Sequence, residues 1–284
     1  MWAAGLPPDP PPERVPPPVP IITLKPPSLF NHLPHYPGIS SFKMRDQQIR
    51  IICGSQVTDE ELGEAAVLFR DNYGVWGEQT GRAGQPVSLS VKRMRSQYLP
   101  SSANTIYARV TVDGTFAGYA FACRWQHQQL NVCWITQLVI NRNFRNLGLA
   151  KALLNALRER TDHVYGIMSS HPAACLAAAS SFGGAIERIS LEFIAQNAEN
   201  VLSNSPIQYI RDAQLHGSLF GTGSDGMVSG VDTGFFVDHT EPNSALQAIQ
   251  TNLNWPLGNL VEGHEYLLLI RRYRRSDRLN SAAA

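Results

Sequence analysis

The spacing of apolar residues in the first half of the chain predicts alternating strands and helices. The predicted elements are a strand at 48–53, helices beginning at Thr58 and Ser88, hairpin strands at 104–113 and 115–124, and a strand at 132–140. Thr58 and Glu61 form the Thr-x-x-Glu pattern of a capped helix start. An Asp-Gly pair between the hairpin strands is a strong signal for a two-residue turn.

The second half of the chain continues this alternation. The elements predicted there are a helix beginning at Leu149, a strand at 163–169, a helix at 172–184, strands at 186–195 and 263–271, and a helix at 244–253. The helix at 172–184 opens with proline and ends in glycine, which are the preferred residues at those two positions. Four glycines between positions 219 and 230 are typical of a mobile loop.

Composition excludes several classes of protein. A net charge of +1 provides no field that would draw the chain to nucleic acid or to a membrane. No apolar run approaches the roughly 20 residues that span a bilayer, and the N-terminus has no apolar run suited to a signal peptide. The four cysteines form no Cys-x-x-Cys pair, so no metal site or disulfide is predicted. We therefore expect a cytoplasmic protein, with the nucleus as the other possible compartment.

Proline dominates the N-terminal segment, where the first 37 residues contain 13 of the 19 prolines. Such a segment forms few backbone hydrogen bonds, so residues 1–46 are predicted to be extended or disordered. The stretch from Arg14 to Pro20 fits the R-x-x-P-x-x-P form of a ligand for an SH3-type domain. A solubilising tail explains the same composition. Residues 276–284 are predicted to be a second disordered tail.

A short polar turn joins the strand at 132–140 to the helix that begins at Leu149. It carries Arg145, Gly148 and Ala150 in an R-x-x-G-x-A pattern. A helix that starts with small residues presents unpaired N–H groups at its positive end, and this arrangement binds pyrophosphate. The pattern therefore predicts a nucleotide-type ligand at the turn, although an ordinary strand-to-helix turn would also fit.

Together, the strand, the R-x-x-G-x-A turn and the helix resemble the acetyl-CoA-binding motif of the GNAT superfamily of N-acetyltransferases. The next strand and helix resemble the following motif of that family, with His171-Pro172 in place of the usual Asn-Pro and Phe182-Gly183 at the helix end. The resemblance implies an α/β (α+β) fold with a mixed central β-sheet flanked by helices and strands splayed at a cofactor cleft. It also implies one domain over 47–275, with an insertion at about 195–262 that either covers the acceptor site or only stabilises the sheet.

By this resemblance, acetyl-CoA is the co-substrate. Its pyrophosphate would bind the turn at Arg145, Asn146, Leu147, Gly148, Leu149 and Ala150. The carbonyl of its thioester would accept a hydrogen bond from the central strand at Leu138, Val139 or Ile140. The acceptor would be an amine of a small molecule or of a protein lysine, which attacks the thioester directly.

The residues that would move protons match the family less well. The central strand has no carboxylate where family members often have one, and Gln137 is its polar candidate. Ala179 stands where members often have a tyrosine that protonates the thiolate, so Ser180 acting through water is the candidate there. His171, beside the predicted cleft, could titrate near neutral pH, or it could only cap the following helix.

Two other functions fit parts of the sequence. A non-catalytic acyl-CoA-binding or regulatory module would explain the missing carboxylate and tyrosine. An adaptor for SH3-type partners would explain the proline segment. A dinucleotide dehydrogenase is excluded, because no G-x-G-x-x-G pattern follows the first strand.

Overall fold

One mixed β-sheet with helices packed against it organises residues 21–23, 46–223 and 225–272, which the computed structural model describes. Its strands are β1 (Ile21–Thr23), β2 (Gln47–Cys53), β3 (Asn104–Val112), β4 (Thr115–His127), β5 (Leu130–Ile140), β6 (Val164–Ser169), β7 (Gln214–His216), β8 (Gly230–Asp232) and β9 (His264–Arg271). The helices are α1 (Asp59–Asn72), α2 (Val91–Tyr98), α3 (Leu149–Ala156), α4 (Pro172–Phe182), α5 (Leu191–Ser203), α6 (Gln208–Arg211) and α7 (Thr240–Gln250). None of these helices has both the length and the apolar character that a bilayer crossing requires.

The strands lie in the order β1-β2-β3-β4-β5-β6-β9-β8-β7. Neighbouring strands are antiparallel except β5 and β6, which run parallel and are joined through α3. Residues 21–23 form β1, which pairs antiparallel with β2. The SH3-type motif from Arg14 to Pro20 and the tail at 276–284 lie outside the described residues.

Alternating side chains give the sheet two apolar faces. Tyr107, Tyr119 and Phe121 on β3 and β4 pack in the same cluster as α1 and α2. Ala108 and Ala120 on the same strands belong to the second cluster, which includes buried residues of α3, α4 and α5. This confirms the predicted α/β architecture of a central mixed sheet with helices on both sides.

Local signals predicted the first elements well. The Thr58 hydroxyl accepts a hydrogen bond from the Glu61 amide (3.2 Å), and the Glu61 carboxylate accepts one from the Thr58 amide (3.0 Å). At the hairpin turn, Asp113 and Gly114 both have positive φ angles, which is the geometry that an Asp-Gly pair favours. The predictions of the capped helix and of the hairpin are therefore confirmed.

The predicted strand at 186–195 is wrong. Ile186–Arg188 form a 3-10 turn, and α5 begins at Leu191 with the Ser190 hydroxyl capping its first turn. The buried residues of α5 are Ile194, Ala198, Val201 and Leu202. Their helical spacing becomes visible only beyond residue 195, where α5 packs against β9. The apolar run at 186–195 alone fits a strand or a helix equally well.

Secondary structure continues through the segment predicted as an insertion, 195–262. It includes α6, β7, β8 and α7, and β8 extends the sheet by pairing with β9. The stretch predicted as a mobile loop, 219–230, is held by bridges such as that between Met227 and Gly258. His239 is buried just before α7.

Candidate active site

The backbone amides of residues 146–151, at the turn between β5 and α3, donate to no acceptor among the described residues. Ala152 is the first residue of α3 whose amide donates a hydrogen bond, to the carbonyl of Gly148 (3.0 Å), and the amides of residues 146–151 donate none. Asn146 and Gly148 have φ angles of 62° and 76°. Left-handed residues alternating with ordinary ones turn successive N–H groups toward one concavity, which suits an anion. The turn therefore has the free donors that a diphosphate needs.

The same turn is open to a ligand. No atom lies within 4 Å of the place where a side chain on Gly148 would begin. Leu147 is one of the few large apolar residues exposed to solvent, at 41%. A phosphate can therefore approach the main chain at Gly148 without displacing protein atoms.

Asn72, at the end of α1, holds this turn in place. Its side-chain oxygen accepts a hydrogen bond from the amide of Arg142 (2.8 Å), and its nitrogen donates to the carbonyl of Leu68 (2.9 Å). Its own carbonyl accepts a hydrogen bond from the guanidinium of Arg145 (2.9 Å). One buried asparagine thus ties the helix end to two points of the turn.

Replacing Asn72 with alanine should weaken acetyl-CoA binding about 3- to 10-fold and lower the Tm by several degrees. The change removes the acceptor of the part-buried Arg142 amide. Loss of such a hydrogen bond costs about 1 kcal/mol, and 1 kcal/mol is worth roughly 2–4 °C at this size. Calorimetry and thermal unfolding measure the two effects. Asn197→Ala is the matched control, because Asn197 binds only a carbonyl of its own helix, that of Phe193. Unchanged acetyl-CoA affinity in Asn72→Ala would show that the turn holds its shape without Asn72.

Arg145 is already paired within the protein. Its guanidinium forms an ion pair with Glu241, in the first turn of α7, in addition to its bond to Asn72. The Nε2 atom of His171 lies 3.8 Å from the same Glu241 carboxylate. Glu241 therefore offsets much of the positive charge that Arg145 was predicted to offer to pyrophosphate.

His171 caps α4. Its Nδ1 atom accepts a hydrogen bond from the amide of Ala173 (3.2 Å). Burial lowers the pKa of His171, Glu241 opposes this shift, and Arg145 reinforces it. The ring is therefore neutral at neutral pH, and it does not line the cavity described below.

The parallel pairing of β5 with β6 stops partway along both strands. It ends at Ile135 and Ile167, whereas β5 continues to Ile140 paired only with β4. A β-bulge puts Thr136 out of register at this point, and a bulge bends its strand. The strands therefore splay apart, as predicted.

Alternation of backbone groups along β5 decides which amides face this gap. The amide of Asn141 donates to a carbonyl of β4 (2.9 Å). Alternate residues point the same way, so Val139 also faces β4, whereas Leu138 and Ile140 direct their N–H groups into the gap. Of the three strand residues predicted to face the thioester, Leu138 and Ile140 have the required orientation.

A cavity of about 450 Å³ opens at the gap. Its walls come from β5, β6, α1, α2 and the segment after α5. Among the lining residues are Tyr73, Trp76, Tyr98, Thr136, Gln137, Leu138, Ser169, Tyr209, Asp212, Asp232, Phe235 and Glu265. Tyr209 crosses from α6 to β5, where its hydroxyl donates to the carbonyl of Thr136 (2.8 Å). The segment at 195–262 thus supplies part of the cavity wall.

Glu265 is the half-buried carboxylate of this cavity, whereas Asp212 and Asp232 are exposed, and the sequence analysis did not identify it. It is half-buried on β9, beside Thr233, which directly follows β8. Burial raises the pKa of Glu265 to about 7, and the Thr233 hydroxyl offsets only part of this shift. The available signal was an acidic residue at the start of an otherwise apolar stretch, 265–270. The resemblance implied a carboxylate on the central strand, whereas Glu265 lies on β9.

Gln137 bridges two tyrosines at the cavity wall. Its oxygen accepts a hydrogen bond from the Tyr119 hydroxyl (2.7 Å), and its nitrogen donates to the Tyr98 hydroxyl (3.0 Å). Burial is the main reason that the pKa of Tyr119 lies well above its usual value, so this hydroxyl stays protonated. An amide does not titrate, so Gln137 orients Tyr98 rather than moving a proton itself.

The residues predicted from the sequence separate into four groups. Gln137 and Leu138 line the cavity, and residues 145–150 form the turn beyond β5. His171 lies between these regions as a helix cap. Ser180 is exposed on α4 and does not line the cavity.

Residues 75–197 match the family model described as the acetyltransferase (GNAT) family. No curated protein sequence matches the chain.

Several solved structures are similar to part of the chain. The ribosomal-protein-S18-alanine N-acetyltransferase from Escherichia coli is 16% identical, with 48% of this chain and 76% of that chain covered and a TM-score of 0.32. The putative acetyltransferase yncA from Salmonella typhimurium, solved with its cofactor acetyl-CoA, is 16% identical, with coverages of 48% and 78% and a TM-score of 0.32. An aminoglycoside acetyltransferase from an uncultured soil metagenomic sample, in complex with sisomicin, is 12% identical, with coverages of 50% and 92% and a TM-score of 0.35.

The match at 75–197 includes the turn with free amides, the gap between β5 and β6, and α4. The co-substrate of this family is acetyl-CoA. Residues 75–197, which make up less than half of the chain, therefore match the GNAT family of acetyltransferases.

Proposed function

We propose that this protein is an N-acetyltransferase that transfers an acetyl group from acetyl-CoA to an amine by direct attack in a ternary complex. One observation carries the proposal: β5 connects a turn with free amides to a gap whose cavity contains a carboxylate of raised pKa. Binding donors, a cleft and a proton acceptor thus lie along one strand and its neighbours.

The turn would hold the diphosphate of acetyl-CoA. The amides of residues 146–151 would donate to its oxygens, and the positive end of α3 adds to the attraction. Asn72 keeps the turn in this shape. Arg145 would contribute less than its charge suggests, because Glu241 already neutralises it in part.

Leu138 would stabilise the charge that develops on the thioester carbonyl. Its N–H faces the gap, and its position is fixed by the pairing of β5 with β4. A donor that is already oriented stabilises an oxyanion without reorganisation, and removing such a donor typically costs about 100- to 1,000-fold in rate. The thioester supplies the activated acetyl group when acetyl-CoA is bound.

Glu265 would accept the proton that the amine loses. An alkyl ammonium titrates near 10.4, so it must be deprotonated before it attacks. A carboxylate with a pKa of about 7 is a stronger base than an ordinary glutamate and is still largely ionised above neutral pH. We assign the proton transfer to Glu265 rather than to His171 or Ser180, because only Glu265 lines the cavity.

We propose that residues 47–275 act as one domain and that the insertion at 195–262 belongs to the acceptor site. Tyr209, Asp212, Asp232 and Phe235 of the insertion line the cavity together with residues of the family-matched region. Its removal should therefore disturb acceptor binding more than acetyl-CoA binding.

The proposal predicts acetyl-CoA binding and release of free thiol in the presence of an amine. Calorimetry with the full chain should show a single acetyl-CoA site. A thiol-detecting dye should then report turnover above the rate in buffer with at least one member of a broad amine panel. Binding without turnover on any amine would instead favour a non-catalytic acyl-CoA-binding module, and absence of binding would reject both functions.

A further inference from the structure

Resting on the proposed function, we infer that the acceptor is a small, free monoamine with an aromatic or branched apolar body, and not a lysine of a folded protein or a polyamine. Three features of the cavity lead to this inference. They are its aromatic wall, the two main-chain segments that close one side of it, and the charges around it.

The cavity wall is aromatic. Six rings line it, those of Phe69, Tyr73, Trp76, Tyr98, Tyr209 and Phe235. The Phe235 ring lies 6.0 Å from that of Tyr73 and 5.5 Å from that of Trp76, so rings from the insertion and from the α1–α2 connection form one continuous surface. Such a surface binds apolar groups, and its ring faces also attract a cation.

A strap of main chain closes the cavity on the side of these rings. Trp76 pairs with Val237, the amide of Gly77 donates to the carbonyl of Phe236 (3.0 Å), and the amide of Asp238 donates to a carbonyl of the 75–77 segment (2.9 Å). The strands are close enough that a side chain on Gly77 would begin 3.3 Å from the Phe236 carbonyl. The strap therefore narrows access to the cavity on this side, which favours a compact acceptor over a lysine on a protein surface.

The charges around the cavity favour one ammonium group and disfavour several. Glu265 lies inside, and Asp212 and Asp232 are exposed at the rim, so a cation is attracted inward. Arg82 and Arg93 also line the rim and form no ion pair with any described acidic residue. A second ammonium group that lies on the side of Arg82 and Arg93 would be repelled by them, which costs binding energy.

Size agrees with this assignment. The 450 Å³ lie at the small end of the range for ligand sites and must also hold the acetyl end of the co-substrate. The volume left for the acceptor suits a molecule with about one ring rather than a sugar-based or peptide acceptor.

The test compares acceptors at saturating acetyl-CoA, with free thiol as the readout. The panel is 2-phenylethylamine, 3-methylbutylamine, spermidine and a lysine-containing peptide. We expect kcat/KM for the first two to exceed that for the last two at least 10-fold. Trp76→Ala and Phe235→Ala should each raise the KM for 2-phenylethylamine at least 10-fold with a smaller change in kcat, whereas Trp76→Phe should restore most of the loss.

Acetyl-CoA affinity, measured by calorimetry, should be unchanged in all three variants, which shows that they are folded. Equal or faster turnover of spermidine or the peptide, or no effect of Trp76→Ala on KM, would overturn this inference and leave the acetyltransferase assignment standing. Thiol release with none of the four amines, nor with any amine of the broad panel, would overturn both.

Discussion

Replacement of Glu265 by glutamine will lower kcat/KM at pH 7.5 by about 100- to 10,000-fold, which is the range for losing a general base. Glutamine keeps the shape of the side chain but cannot accept a proton. Acetyl-CoA affinity should change less than about 2-fold, because Glu265 lies on β9 and not at the turn that precedes α3. Steady-state kinetics and calorimetry separate these two effects.

The pH dependence provides a second signature of Glu265. Its pKa of about 7 predicts that kcat/KM of the wild type falls roughly tenfold per pH unit below that value, because the protonated carboxyl group cannot act as a base. In Glu265→Gln this decline should disappear. A matched control is Glu262→Gln, which changes an exposed carboxylate three residues away that does not line the cavity. A Glu265 variant with wild-type rate and pH profile would remove Glu265 from the mechanism.

Loss of activity in this variant should not reflect unfolding. Folding raises the pKa of Glu265 from 4.5 to about 7, so the fold favours the neutral form. The stability that this contributes at low pH is lost as the pH rises through the folded value, because the buried group must then carry charge. Glutamine carries no charge at any pH. Its Tm at pH 8 should therefore equal or exceed that of the wild type.

Replacement of Gly148 by glutamate will weaken acetyl-CoA binding at least about 100-fold. A carboxylate about 4 Å from a phosphate charge costs several kcal/mol near a protein surface, and each 1.4 kcal/mol corresponds to a factor of ten in Kd. The open space at Gly148 means that the new side chain meets no protein atoms where it begins. Calorimetry on the full chain measures the loss.

Backbone strain needs its own control, because Gly148 has a φ angle of 76° that other residues rarely adopt. Gly221→Glu introduces the same side chain at a φ angle of 72°, also into open space, and Gly221 does not line the cavity. This control should bind acetyl-CoA like the wild type. Equal Kd values for Gly148→Glu and wild type would mean that the diphosphate lies elsewhere.

Elements with strong local signals could be predicted closely from the sequence. The capping box at Thr58, the Asp113-Gly114 turn and the turn before Leu149 each depend on residues a few positions apart. The capping box closes its hydrogen bonds within four residues, and the two turns depend on positive φ angles at Asp113, Gly114 and Gly148, so neighbouring residues suffice to identify them. The error at 186–195 has the opposite cause, since only the packing of α5 on β9 selects a helix there.

The roles of single residues were predicted less well. His171 was a candidate base, but its Nδ1 is occupied by the cap of α4 and its Nε2 faces Glu241. Arg145 was a candidate for binding pyrophosphate, yet its partner Glu241 is 96 residues away in the chain. No local sequence pattern predicts such an ion pair, because the pair depends on how α7 packs beside the turn.

By itself, the sequence determined the strand, the glycine turn and the helix that follows, because the small residues and the left-handed backbone at Gly148 that leave the amides free are local to the turn. Only the tertiary structure decided the acceptor side. Glu265, Tyr209, Phe235 and Trp76 come from four separate parts of the chain, and the cavity exists only where the sheet and the insertion bring them together. The raised pKa of Glu265 has the same origin, since it depends on the protein packed around the carboxyl group and not on its neighbours in sequence.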